Sequence, residues 1–437
     1  MRQRRGPRTE KAETALRRDR LLNRDFVLLW QGQAVSGVGT SLSQIATIYW
    51  LLQATGSATT MGLVSMAGAI PGVLLGPIGG AIADRFSRRR LIVIGDALLG
   101  LAMLLLGIAF FVIEDAVAFK VGCLVAAGVL SGVVNAFFRP AVMASIPNLV
   151  PIQRLNTANA LNSFSMMTSM TIGQAIGGVL FRILGAPVMF LVNGVTYLLS
   201  SLSEAFIRMP QKLPEASPTL RSLVRAFGGD IVVGLRYVWQ RAGLRNMVIA
   251  FAVLNFVTAP LAVLLPILLD VHRGLASDWY GYLMAAMAAG NLVGMGLAGA
   301  MRIDGPSRFV FGIATLLGIG ASTLVLGLAT NPVFFLAANA VSGIFNGVMM
   351  ITFPTLMQAT TPDALRGRVS SVMMTVMGGT MPLAMGLAGI AADAVDQNVP
   401  VLFIVAAVAV AGVATTMAFN RSFREFLSTR IGVSVGG

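Results

Sequence analysis

Ionisable side chains are scarce in this chain. Asp, Glu, Lys and Arg together make up 11% of its 437 residues, against about 25% in an ordinary soluble domain. The single cysteine, Cys123, excludes a disulfide within the chain and a cysteine-based metal cluster. The single histidine, His272, excludes a zinc site built from several imidazoles. No nucleophile–base pair, phosphate-cradling loop or metal set can be picked out, so no cofactor is expected and catalysis is set aside. Strand-like alternation is missing too. The first 24 residues are too charged for a signal peptide, and the apolar segment after them is long enough to cross a membrane.

What the chain has instead is apolar surface: 56% of its residues are hydrophobic. One aqueous core cannot hide so much, so the chain needs lipid as solvent. Twelve segments are expected to span, at 26–52, 61–83, 90–113, 118–139, 157–184, 187–207, 245–269, 277–300, 307–329, 332–356, 367–393 and 398–419. Each must be a helix, because an isolated strand would leave its backbone unsatisfied in hydrocarbon. The expected class is an all-α membrane protein. Pro71, Pro77, Pro260, Pro266 and Pro382 fall inside spans, where they mark kinks.

The net charge of +14 invites a nucleic-acid reading, but its distribution argues otherwise. Lys and Arg cluster at Arg2 to Arg24, Arg85 to Arg90, Arg208 to Arg245 and Arg421 to Arg430, at the ends of apolar segments. With the N-terminus inside, only Lys120, Arg182 and Arg273 of the 32 basic residues fall on the outer side, which leaves 29 within. That bias puts both termini in the cytoplasm of a multi-pass plasma (inner) membrane protein and makes the lipid bilayer, not nucleic acid, its partner. His272 then sits in an outer loop as a solvated residue. The expected organisation is a basic tail at 1–24, six spans at 25–207, a cytoplasmic linker at 208–244, six spans at 245–420 and a tail at 421–437.

Within the linker, Leu220, Leu223, Val224, Phe227, Ile231, Leu235, Val238 and Trp239 recur at helical intervals among Arg221, Arg225, Arg236 and Arg241. An amphipathic helix on the membrane face fits this pattern, and so does a plain connection between two bundles. The halves echo each other. Ser131-Gly-Val-Val-Asn135 recurs 211 residues later as Ser342-Gly-Ile-Phe-Asn346, and Pro151 maps to Pro362 at the same offset. A duplication of six spans predicts two pseudo-symmetric bundles.

The loop after span two reads Gly80-Ala-Ile-Ala-Asp84-Arg85-Phe-Ser-Arg88-Arg89-Arg90. It resembles the loop signature of the major facilitator superfamily, with Ser87 where glycine is usual. An ordinary positive-inside loop would explain the arginines but not the spacing of Gly80 and Asp84. The start of span one, Asn23-Arg-Asp-Phe-Val-Leu-Leu-Trp-Gln-Gly-Gln-Ala-Val-Ser-Gly37, resembles the branch of enterobactin exporters and macrolide efflux proteins. So do Asn135-Ala-Phe-Phe-Arg-Pro-Ala141 and Ala158-Asn-Ala160. The resemblance covers residues 23–420 and implies the major facilitator fold and export driven by proton exchange, so protons and a small molecule are the implied partners. Gly80 would let helices approach closely at the loop. Asp84 would act in an inner gate, bonding the N-terminus of span eleven in that fold while the cytoplasmic side is closed. Gly173-Gln-Ala-Ile-Gly177-Gly178 stands where antiporters carry Gly-Pro-x-x-Gly-Gly. Gln174 thus replaces the usual proline, either facing a cavity or bonding a neighbouring helix.

Only Asp96 and Glu204 are acidic residues inside spans. Glu204 has Arg208 four residues on, which reads as an ion pair. A carboxylate at membrane depth costs about 2.5–3.5 kcal/mol, so Asp96 needs water or a partner. It is either a structural acceptor for the arginines at 85–90 or a proton carrier. By analogy with the fold, spans 1, 4, 7 and 10 line a cavity and offer Gln33, Asn135, Asn255 and Asn346, with Arg139 either at the path or snorkelling. The reading that emerges is a secondary transporter exporting a small amphiphilic compound by alternating access. The alternatives are an importer or lipid flippase of the same fold, or a membrane sensor or scaffold that moves nothing.

Overall fold

A computed structural model describes residues 21–209, 211, 220–301 and 305–429; the basic N-terminal tail and the end of the C-terminal tail lie outside these. Every regular element among the described residues is helical. In order they are α1 (Arg24–Thr55), α2 (Ala58–Arg85), α3 (Arg88–Val112), α4 (Val117–Leu149), α5 (Leu155–Ala205), α6 (Leu220–Gln240), α7 (Ala242–Thr258), α8 (Leu261–Ile267), α9 (Asp278–Ala300), α10 (Pro306–Leu328), α11 (Pro332–Thr360), α12 (Asp363–Ala394), α13 (Val399–Phe419) and α14 (Arg421–Leu427).

Twelve passes come from these helices. Ten segments are long and apolar enough to cross a membrane. One of them, Ile152–Ala205, spans 54 residues, about twice what a bilayer needs, and it breaks at Gly185. Gly185 adopts φ 72° and ψ 168°, a region open almost only to glycine; arms 155–184 and 186–205 therefore form spans five and six. The twelfth pass is α1, which is absent from those ten because Gln31, Gln33, Ser36, Thr40, Ser41, Ser43 and Gln44 make it polar. Span seven is also interrupted. α7 ends at Thr258, Pro260 opens α8, and a π-turn follows at Leu268–His272. His272 is thus the half-buried end of a helix rather than a loop residue.

Contacts group the chain into two units. One takes in residues up to 47, with 68–173 and 183–224; the other takes in 48–67, 174–182 and 225 onward. Large apolar side chains lie on both faces of a helix here, while glycines gather at the contacts. On α3 the large apolar residues Leu98, Leu101, Leu105, Ile108 and Val112 are exposed, while Gly95, Gly100 and Gly107 are buried. Small residues at the contact let backbones approach, which is how helices associate without a hydrophobic driving force. A Cβ on Gly100 would meet Leu198 at 2.9 Å, and one on Gly107 would meet Leu191 at 2.7 Å.

The duplicated motif has the same structural use in each unit. Gly132 of α4 lies against the carbonyl of Gly68 and the ring of Pro71 in α2. Gly343 of α11, its counterpart, lies against the carbonyl of Met287 in α9. The paired prolines also match: Pro151 and Pro362 both precede a helical turn, with φ −62°, ψ 146° and φ −54°, ψ 145°. In the linker, α6 forms where the apolar spacing predicts it. Val238 is buried, Asp230 pairs with Arg368 of α12 at 2.8 Å, and Val232, Leu235 and Trp239 remain exposed along one side. A docked helix with an outward apolar stripe satisfies both the connection and the membrane-surface reading.

Candidate functional site

The polar face of α1 meets the second arm of α5 in the first unit. On that arm Asn193, Tyr197, Ser200 and Glu204 recur at intervals of three and four, a single helical stripe. Glycines on α1 make room for it. A Cβ on Gly32 would stand 2.7 Å from Ser200 Oγ and 3.4 Å from Glu204 Oε1, and one on Gly39 would strike Thr196 and Asn193. Thr40 Oγ1 and the Tyr197 hydroxyl share a hydrogen bond of 2.8 Å. α3 closes the third side, held there by Ser201 Oγ, which donates to Val93 O at 2.9 Å.

Asp96 of α3 projects into this corner and has no exposed surface; nor has Glu204. The two carboxyl groups are neighbours, with Ser200 beside both. Gln33 Nε2 donates to Glu204 Oε1 at 2.8 Å. No hydrogen bond reaches either oxygen of Asp96 or Glu204 Oε2. A buried acceptor without a donor is unfavourable, and two adjacent carboxylates repel each other. One proton placed between them ends the repulsion by discharging one group and supplies a donor to the other.

The expected ion pair of Glu204 with Arg208 does not form. The i,i+4 spacing is there, but Glu204 faces α1 and α3, whereas the backbone N–H of Arg208 donates to Asp25 Oδ1 at 3.1 Å. Asp96 does not hold the arginines at 85–90 either. Arg88 donates to Asp84 Oδ1 at 2.8 Å, to Ala144 O at 2.6 Å and to Ala83 O at 3.4 Å. Arg89 donates to Ala205 O. Arg85 is half-buried, with Nε and Nη2 lacking hydrogen bonds, and Arg90 is exposed.

Elsewhere in the loop, Gly80 faces open space; Gly79 makes the close approach, onto Ala136 O and Pro140 of α4. Ser87 caps α3 by accepting from Arg90 N at 3.4 Å, at φ −59° and ψ 111°. Its backbone there is ordinary for any residue, so the usual glycine is not required and the hydroxyl gains a use. Asp84 is largely exposed, at 69% of its side chain.

The cavity candidates divide between the units. In the first, Gln33 joins the carboxyl pair, Asn135 Nδ2 turns back to Ser131 O at 2.8 Å, and exposed Arg139 comes within electrostatic reach of Tyr197. In the second, Asn255 Nδ2 donates to Phe251 O at 3.0 Å, and Gln174 and Asn346 are half-buried. Ser200 and Tyr197 escaped the sequence reading, which took Glu204 only as an ion-pair partner of Arg208. The signal that would have found them is the polar stripe on span six, a periodicity that outweighs a single i,i+4 charge pair.

Comparison with known proteins supplies the wider frame. A family model described as Major Facilitator Superfamily matches residues 29–381. Macrolide efflux protein A of Streptococcus pyogenes is 25% identical over 383 residues, covering 85% of this chain and 90% of that protein. The multidrug efflux pump Tap of Mycolicibacterium fortuitum is 29% identical over 385 residues, covering 84% and 89%. Among solved structures, a bacterial homologue of the human lysosomal transporter Spinster superposes with TM-score 0.67 at 12% identity, over 92% of this chain and 96% of that one. The nucleoside transporter NupG gives TM-score 0.66 at 12% identity, over 90% and 100%.

Proposed function

We propose that this chain, which belongs to the Major Facilitator Superfamily, exports small amphiphilic compounds across the plasma membrane in exchange for protons, by alternating access. The family makes it a multi-pass transporter rather than an enzyme. Export is supported by relatives named as macrolide and multidrug efflux pumps. The bias of basic residues supports an orientation with both termini in the cytoplasm.

One observation carries the proton coupling: Asp96 and Glu204 lie together, fully buried, with three carboxyl oxygens lacking a donor. Such a pair stores a proton while its corner is dry and gives one up when water or a cationic substrate reaches it. Proton binding and conformation are then coupled, and by linkage each biases the other equally. Gln33 orients Glu204 in the pair, so Asp96 is the freer group and the one that exchanges its proton. Asn135 and Arg139 in the first unit, and Gln174, Asn255 and Asn346 in the second, are assigned to substrate contact. The Met and Phe residues, 24 of each, provide an adaptable apolar wall around them. Asp84 is assigned to gating of the cytoplasmic side, where its exposed carboxylate is free to change partners.

The test is a transport assay in inverted membrane vesicles from an efflux-deficient host. Macrolides and lipophilic cationic dyes should be taken up when a proton gradient is imposed, and each addition of substrate should dissipate the gradient. Gradient-independent accumulation would remove the proton, and accumulation in right-side-out vesicles alone would make the protein an importer.

A further inference from the structure

Residues 48–67 precede the middle of the chain, yet they pack with helices that follow it, in the second unit. The join is at the first turn of α2. Ser57 caps that helix by accepting from Thr60 N at 3.1 Å, and its own hydroxyl donates to Asp393 Oδ2 at 2.8 Å. The backbone N–H groups of Ala58 and Thr59 donate to the same carboxylate, at 3.1 and 2.8 Å. Asp393 belongs to the last turn of α12, so a side chain from span eleven occupies the positive end of span two.

The chain beyond α12 reinforces this contact. Asp396 and Gln397 both adopt positive φ, 52° and 56°, a conformation uncommon for residues other than glycine. That turn brings Gln397 Nε2 back to Asp393 Oδ1 at 3.0 Å and onto Gly56 O. Glycines then allow the start of α2 and the end of α12 to touch closely. A Cβ on Gly389 would strike Ala58 O, one on Gly62 would stand 2.5 Å from Met385 O, and Thr59 Oγ1 donates to Gly389 O at 3.3 Å. A second polar contact in the same unit joins α5 to α9: Arg182 pairs with Asp278 at 2.9 Å, and Ser277 Oγ donates to Gly178 O at 2.9 Å.

We propose that Asp393, steadied by Gln397, is a latch that holds the outer face of the transporter closed and must let go of α2 for the outward-open state to form. The assignment rests on the alternating-access reading above, and on the orientation that puts the turn after α12 outside. The chemistry suits a reversible device. Charge-assisted bonds to N–H groups hold the half-buried Asp393 carboxylate in place. The partners separate cleanly because water can satisfy the freed groups of each helix end. A permanent join would more readily be an apolar one.

The experiment reads accessibility and needs no substrate. In a Cys123→Ser background, Met61→Cys places a thiol on α2 at a position with no exposed surface. Intact cells are treated with a membrane-impermeant maleimide. Adding Asp393→Ala should raise the labelling rate about tenfold by shifting the equilibrium toward the open face, and Gln397→Ala should raise it by less. If the alanine variant fails to reach the membrane, Asp393→Asn is read the same way. Unchanged labelling in a correctly inserted variant overturns the latch. Faster labelling only in inverted vesicles keeps the latch and overturns the orientation. Faster labelling in a protein that moves no drug keeps the latch and overturns the export reading.

Discussion

A carboxyl group inside a membrane has to find a cation, a donor or a proton. For Asp96 the described residues offer no cation and only the hydroxyl of Ser200 beside it, which Glu204 shares; Glu204 has one amide besides. Neutral isosteres therefore separate structure from coupling. Asp96→Asn and Glu204→Gln remove the exchangeable proton but keep the volume, and Gln still presents an oxygen to Gln33. Both variants are expected to insert and to unfold at the parental temperature or slightly above it. Their gradient-driven efflux should fall roughly 5- to 150-fold, the range that typical coupling energies of about 1–3 kcal/mol span. Dye efflux under an imposed pH gradient, with thermal unfolding in detergent beside it, checks the pair. Full efflux from Asp96→Asn would move the coupling elsewhere. Gln33→Ala should act in the opposite sense. It leaves Glu204 Oε1 buried without a donor, which costs about 1–3 kcal/mol of stability.

Glycines set how closely several of these helices approach. In α5 one glycine decides how many passes there are. Gly185 alone departs from helical geometry in a 51-residue helix, and no bilayer holds a straight helix of that length. Gly185→Ala forces a Cβ into the region of φ 72° and ψ 168°, at about 1–3 kcal/mol. The melting temperature in detergent should fall accordingly. Gly228→Ala in α6 is the control. That glycine has open space around it, so alanine should be neutral or stabilising by about 0.5–1 kcal/mol. Equal effects at the two sites would show that the break is not held by conformation. The same logic gives the duplicated Ser-Gly-x-x-Asn motif its meaning. Gly132 and Gly343 each admit a neighbouring backbone that a Cβ would strike.

At the scale of the whole molecule, the charge asymmetry makes the sharpest prediction. Reporter fusions at residues 116, 274 and 396 should report the outer side, and fusions at 215 and 430 the inner side. An outer signal at 215 would end the twelve-pass arrangement, because six passes precede that residue. Composition alone was enough to establish a membrane protein, and apolar run length placed most of its helices, though not polar α1 or the break at Gly185. In hydrocarbon a long apolar run without strand alternation satisfies its backbone as a helix. The loop signature at 80–90 and the repeat were also legible, because both are local strings. What tertiary structure decided is who meets whom. Glu204 looked tied to Arg208 because four residues on a helix are neighbours, but the direction in which that face points depends on α1 and α3. Asp393 carried no signal of its contact with α2, for its partners there lie more than 330 residues away in sequence. A pattern along the chain can report the period of a helix and the solvent around it. Which buried carboxyl finds a donor, a neighbour or the end of another helix is settled only when the backbones pack, since those contacts act over a few ångströms in space and at any distance along the chain.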